Sequence, residues 1–208
     1  MSKTKHIDRL IKIFPLRSDY RLLLNAHNRY FCRYYPMAVM VFNEQLDVER
    51  FFEALESALN YFPFLFGKLQ DDGQNLSIAF SNTELNEDRN AAVICELAIR
   101  PDLSYFNVHE SVSCYLPQHV PPQTYTLPDD VNGLIMIQLR VTQCHDGFVL
   151  GYTFNHACLD QASLLYFLNY LTAVYNHDDV SQFAPPQIVD TFSLLEPKHK
   201  KDSQTKRS

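Results

Sequence analysis

Gly151-Tyr-Thr-Phe-Asn-His-Ala-Cys-Leu-Asp160 runs directly into Gln161-Ala-Ser-Leu-Leu-Tyr-Phe-Leu-Asn-Tyr-Leu-Thr-Ala-Val-Tyr175. The apolar residues 148–154 are rich in β-formers, whereas Leu164, Leu168, Leu171 and Tyr175 recur at the spacing of one helical face. A strand followed by a loop and then an amphipathic helix is therefore expected. His156 falls where the strand ends, and Asp160 where the helix begins. A strand-end histidine is held on one side by the sheet and open on the other, a suitable place for a general base. The same position also suits a histidine that merely bonds to backbone, and the residues alone leave both accounts open. Asp160, directly before the helical pattern, is expected to be its N-cap. That role would also fix the loop that carries His156.

Residues 133–142 and 148–154 predict two strands of a hairpin turning through Asp146-Gly147. Gln138, Arg140 and Thr142 alternate with Leu139 and Val141, so part of one face is expected to meet water. Upstream, the uncharged run Pro36-Met-Ala-Val-Met-Val-Phe-Asn43 reads as a strand buried on both faces. Asp47 then caps a helix whose buried face holds Phe51, Phe52, Leu55, Ala58 and Leu59, ending before Pro63. Residues 64–69 and 76–80 flank Asp72-Gly73 and predict a second hairpin. Residues 92–99 read as a further strand. Residues 1–15 read as a short amphipathic entry segment, and residues 20–30 as a short helix or irregular stretch. Residues 82–90 read as a surface loop. The proline-punctuated stretch 101–128 reads as irregular, with a short turn near 112–116.

The chain has 208 residues, 46% of them hydrophobic, which is enough to bury a sizeable core. Its formal net charge of −6 offers no basic body to nucleic acid. Five unpaired-looking cysteines (Cys32, Cys95, Cys114, Cys144, Cys158) suit reduced thiols in the cytoplasm. No apolar run approaches the roughly 20 residues of a membrane span. A single domain over 1–182 is expected, with 183–208 a linker and a basic tail.

Two further constellations carry less. Cys144-His145 and His156/Cys158 supply ligand types for zinc, but an extended strand of about 3.3 Å per residue separates the pairs, so no metal site is expected. Cys158 near His156 suggests an activated thiol; without a third group to orient the histidine, a packing role is favoured.

His156-Ala-Cys-Leu-Asp160 resembles the HxxxD motif of the BAHD acyltransferases, relatives of chloramphenicol acetyltransferase and of peptide-synthetase condensation domains. Tyr61-Phe-Pro-Phe-Leu-Phe-Gly-Lys-Leu69 is similar to that family's "YPLAGRL" segment and follows a helix in the same way. The resemblance covers residues 10–180. It implies an α/β fold, a chloramphenicol-acetyltransferase-like mixed sheet with flanking helices. It also implies that His156 is the general base for acyl transfer from a thioester such as acyl-CoA to a small hydroxyl or amine acceptor. Asp160 would be structural, and no resident cofactor is implied. The chain departs from the pattern at Gln161, where the family has Gly. Asn155 stands where the two related families have a second histidine. The second-half DFGWG motif is absent, as is Trp altogether. The resemblance is thus to the N-terminal half, to be completed by a second half-domain or by a homo-oligomer such as a trimer. A non-catalytic binding protein built on the half-fold is the alternative.

Overall fold

The computed structural model describes residues 7–16, 19–24, 26–32, 34–81, 93–118 and 134–186. Eight strands and three helices alternate through these residues: β1 (Ile7–Ile13), β2 (Asp19–Leu24), α1 (Ala26–Phe31), β3 (Met37–Phe42), α2 (Val48–Tyr61), β4 (Lys68–Asp71), β5 (Leu76–Ser81), β6 (Val93–Ile99), β7 (Ile137–Gln143), β8 (Phe148–Phe154) and α3 (Gln161–Asn176). They form a mixed α/β fold of two sheets. The larger has the order β1-β6-β7-β8-β3, with β6 and β7 parallel and every other pair antiparallel; the smaller is β2-β5-β4.

The two helices read from periodicity form as expected. Asp47 caps α2 by accepting a hydrogen bond from the Arg50 amide at 3.1 Å, and Phe51, Leu55, Ala58 and Leu59 are buried. Phe52 is only half-buried. α2 and α3 pack side by side through an aromatic seam, with Tyr61 stacked on Tyr170 at 4.3 Å and Phe62 edge-on to Phe167 at 5.5 Å. Together they cover the face of the large sheet formed by Leu139, Val141, Leu150, Tyr152 and Phe154. The strip ending at Ala184 stays attached to α2 and α3. Tyr61 donates to the Phe183 carbonyl and Tyr166 to that of Ala184. The tail beyond 186, the loop 82–90 and the stretch 119–128 lie outside the described residues.

The structure corrects several expectations. Residues 7–13 are an edge strand, and residues 20–30 divide into β2 and α1. Residues 63–66 form a 3-10 turn because Pro63 sits at its start, so β4 begins only at Lys68. The hairpin at Asp72-Gly73 is present; Gly73 takes φ 86°, and the Asp72 carboxylate accepts from the Gln74 and Asn75 amides. β7 begins at Ile137, four residues later than its pattern suggests.

Two corrections concern burial. Gln138, Arg140 and Thr142 are buried rather than wet, because residues 103–118 fold across that face of the sheet. Arg140 makes a buried ion pair with Glu96, its register neighbour on β6, and the other Glu96 oxygen accepts from the Gln118 amide at 2.7 Å. The crossing is so close at Gly151 that a Cβ there would collide with the Tyr115 carbonyl oxygen. The second correction is β3. It is not buried on both faces but lies at the edge of the large sheet, with Met37 43% and Val41 48% exposed.

Candidate active site

β8 delivers Asn155 and His156 at its C-terminal end. The two neighbouring strands hold alternate residues there. Asn155 donates its amide to the Met136 carbonyl on the β7 side, and His156 donates its amide to the Tyr34 carbonyl on the β3 side, at 2.8 and 2.9 Å. The ladder thus continues past the last strand residue, and the chain at Asn155-His156 is held from both sides.

The chain then turns on Asn155, a buried residue that no sequence expectation singled out as structural. Its side-chain amide donates to the Cys32 carbonyl (2.7 Å) and the Tyr35 hydroxyl (2.9 Å), and its Oδ1 accepts from the Ala157 amide (2.9 Å). Its own carbonyl accepts from Cys158 and Leu159. Asn28 closes the outer side by donating to the Ala157 carbonyl at 2.9 Å. The Tyr35 hydroxyl donates to the Ile135 carbonyl, and burial pushes its phenol well above the ordinary value. A neutral, fully bonded polar cluster therefore sits beneath the loop. The sequence signal for it was only that an amide occupies the position before the histidine.

The His156 ring is half-buried among aromatics. Phe31 stacks on it at 5.0 Å and 28°, Tyr34 lies tilted at 5.6 Å, and Phe154 at 6.1 Å. α1 and the residues following it, which the sequence did not mark for function, thus build one wall of the site. Phe31 lies over the imidazole, and part of the His156 residue stays exposed.

Asp160 caps α3 by accepting from the Ser163 amide at 2.7 Å. Bonds from the Ser163 side chain and backbone hold its carboxyl below the usual range, with a smaller contribution from the nearby His156. Gln161 is the exposed first residue of the helix. Cys158 is half-buried, and desolvation pushes its thiol well above the ordinary value, so it stays protonated. Cys144 and His145 lie at the opposite end of the β7–β8 hairpin, away from His156. There the His145 ring bonds to the Leu103 carbonyl.

The sequence model of a transferase family, the BAHD acyltransferases, matches residues 15–207. The chain belongs to this family. Solved structures share its fold at low identity. Vinorine synthase is 16% identical with a TM-score of 0.66 over 94% of this chain and 48% of its own. Fusarium graminearum TRI101, solved with coenzyme A and T-2 mycotoxin, is 12% identical with a TM-score of 0.58 over 78% of this chain and 41% of its own. No curated protein sequence matches. This BAHD chain therefore spans less than half the length of the solved structures it resembles. None of its described helices is long and apolar enough to cross a membrane.

Proposed function

We propose that this chain is the base-carrying half of an acyl-CoA-dependent acyltransferase. The observation that carries the reading is the anchoring of Asn155 and His156 to the chain on either side of the strand end, which sets the half-buried His156 ring among Phe31, Tyr34 and Phe154. In this reading neutral imidazole takes the proton from an acceptor hydroxyl or amine. The oxygen or nitrogen bonds to the thioester carbonyl carbon and forms a tetrahedral oxyanion. That intermediate collapses, the carbon–sulfur bond breaks, and the departing thiolate receives the proton from imidazolium. Asp160 fixes the entry to α3 and does not exchange protons with the acceptor. Coenzyme A is the donor's carrier, as TRI101's solved complex suggests, and the acceptor is a small molecule. The five free cysteines suit a cytoplasmic setting.

The test is thiol release from a panel of acyl-CoA donors and small alcohols or amines, by the chain alone and with complementing second-half polypeptides. Turnover by any such assembly should fall about 10²- to 10⁴-fold with His156→Ala. Turnover insensitive to that substitution would overturn the reading. A second reading, a non-catalytic binding protein, draws on Gln161, whose side chain stands where the family has glycine. It would be supported by complete inactivity of every assembly together with retained small-molecule binding in the His156→Ala variant.

A further inference from the structure

A continuous row of rings runs across α1 to the histidine. Tyr30 meets Phe31 edge-on at 5.0 Å, Phe31 stacks on His156 at 5.0 Å, and Tyr34 lies tilted against His156 at 5.6 Å. Tyr30 is 80% and Tyr34 49% exposed. Single exposed aromatics are ordinary, but contiguous ones mark a surface that meets something. Tyr30, Phe31 and Tyr34 belong to neither hydrophobic core cluster, so packing of the fold does not account for them. The Tyr34 backbone serves the loop by holding the His156 amide, which any residue's carbonyl could do. Its ring is a separate feature, placed against the imidazole.

Aromatic faces discriminate between ligands of equal size. A flat ring can stack offset or meet them edge-on, and each such pair adds a factor of about 2 to 12 in affinity beyond the area buried. A saturated skeleton of the same shape gains only the area. A general base must come within hydrogen-bond reach of the proton it removes. Rings packed on the imidazole therefore meet the skeleton of the acceptor, with the thioester carbonyl one bond-forming distance further out. The adenine of coenzyme A is not the ring in question, because the whole pantetheine arm separates it from the thioester.

We propose that Tyr34, backed by Phe31 and Tyr30, selects a flat aromatic acceptor: an aryl or fused-ring alcohol or amine whose ring lies on this row while its nucleophile meets His156. The inference rests on reading His156 as the base of acyl transfer. An aromatic acyl group on the thioester is the other source of such a ring. The row's direct packing on the base favours the acceptor, and the experiment separates the two.

The test is an NMR titration of the whole chain, labelled in its histidine and tyrosine rings, with 2-naphthylmethanol and with its ring-saturated counterpart, decahydro-2-naphthylmethanol. The aromatic alcohol should bind at least about fivefold more tightly and move the His156 and Tyr34 ring signals upfield. Tyr34→Leu keeps the apolar bulk and should bring the two affinities within about twofold of each other, while Tyr34→Phe should keep the preference. No binding of the aromatic alcohol, equal affinity for the two alcohols, shifts that bypass His156 and Tyr34, or a preference that survives Tyr34→Leu would each overturn the proposal. A His156 amide that exchanges faster in Tyr34→Leu would make Tyr34 a structural residue and overturn its selective role. Tighter binding of the N-acetylcysteamine thioester of 2-naphthoic acid at the same signals would assign the row to the donor's acyl group instead. The readout is binding rather than turnover, so its failure leaves His156 as base untouched. Turnover insensitive to His156→Ala, with aromatic binding intact, would overturn only the proposed function.

Discussion

Asn155→Ala should be among the most damaging single changes near the site. The side chain is fully buried and makes three hydrogen bonds, two as donor and one as acceptor. The three partners do not suffer equally. The Tyr35 hydroxyl retains its bond to Ile135, so its loss is small. The Cys32 carbonyl loses a donor at 2.7 Å, and the Ala157 amide loses its acceptor in a loop closed to water. Each such loss costs about 1–2 kcal/mol, giving about 2–4 kcal/mol in all. With a urea slope of about 2 kcal/mol per molar, the unfolding midpoint should drop by about 1–2 M. The His156 amide should also exchange faster, because the turn that holds it relaxes. Asn155→Asp provides a sharper version. It keeps the acceptor for Ala157 but turns a carboxylate oxygen toward the Cys32 carbonyl. Burial raises the introduced carboxyl's folded pKa, so this variant's deficit against wild type should be smallest below about pH 4, where the carboxyl is protonated, and grow as pH rises through the folded value. A loss under about 0.5 kcal/mol for Asn155→Ala, the range of ordinary surface changes, would refute the claim that this amide organises the loop.

Asp160→Ala should cost about 1 kcal/mol at neutral pH. Because the folded carboxyl is held below its ordinary pKa, that contribution exists above the unfolded value of about 3.9 and disappears as pH falls through the folded one, so thermal melts of the two proteins should converge on acidification. Arg140→Met should cost about 3–5 kcal/mol by leaving the Glu96 carboxylate buried, and Glu96→Leu combined with it should recover much of that loss in a double-mutant cycle. Gly151→Ala should destabilise by about 1–3 kcal/mol and increase amide exchange across 103–118, since the added methyl drives into the Tyr115 carbonyl. Maleimide should label the exposed Cys114 first and leave buried Cys32, Cys95 and Cys144 slow in the native state.

Local chemistry alone determined a good deal. The Asp47 and Asp160 caps, the periodic faces of α2 and α3, the two hairpins and the strand-to-helix position of His156 all depend on neighbours within a few residues, and the structure contains each. The match of residues 61–69 and of His156 to Asp160 to family motifs located the family from short segments. What lay out of reach depended on partners distant in the chain. Asn155 bonds to Cys32 and Tyr35, some 120 residues earlier, and Phe31 and Tyr34 wall the histidine from the same distance. Gln138, Arg140 and Thr142 alternate as though facing water, yet Glu96 and the crossing segment 103–118 bury them. β3 shows the reverse. An unbroken apolar run says that both faces seek cover, but whether the covering strand lies within the chain is settled only by sheet order. Periodicity records what a segment requires of its surroundings; tertiary structure decides what supplies it, and along β3 the described residues supply a partner on one edge only.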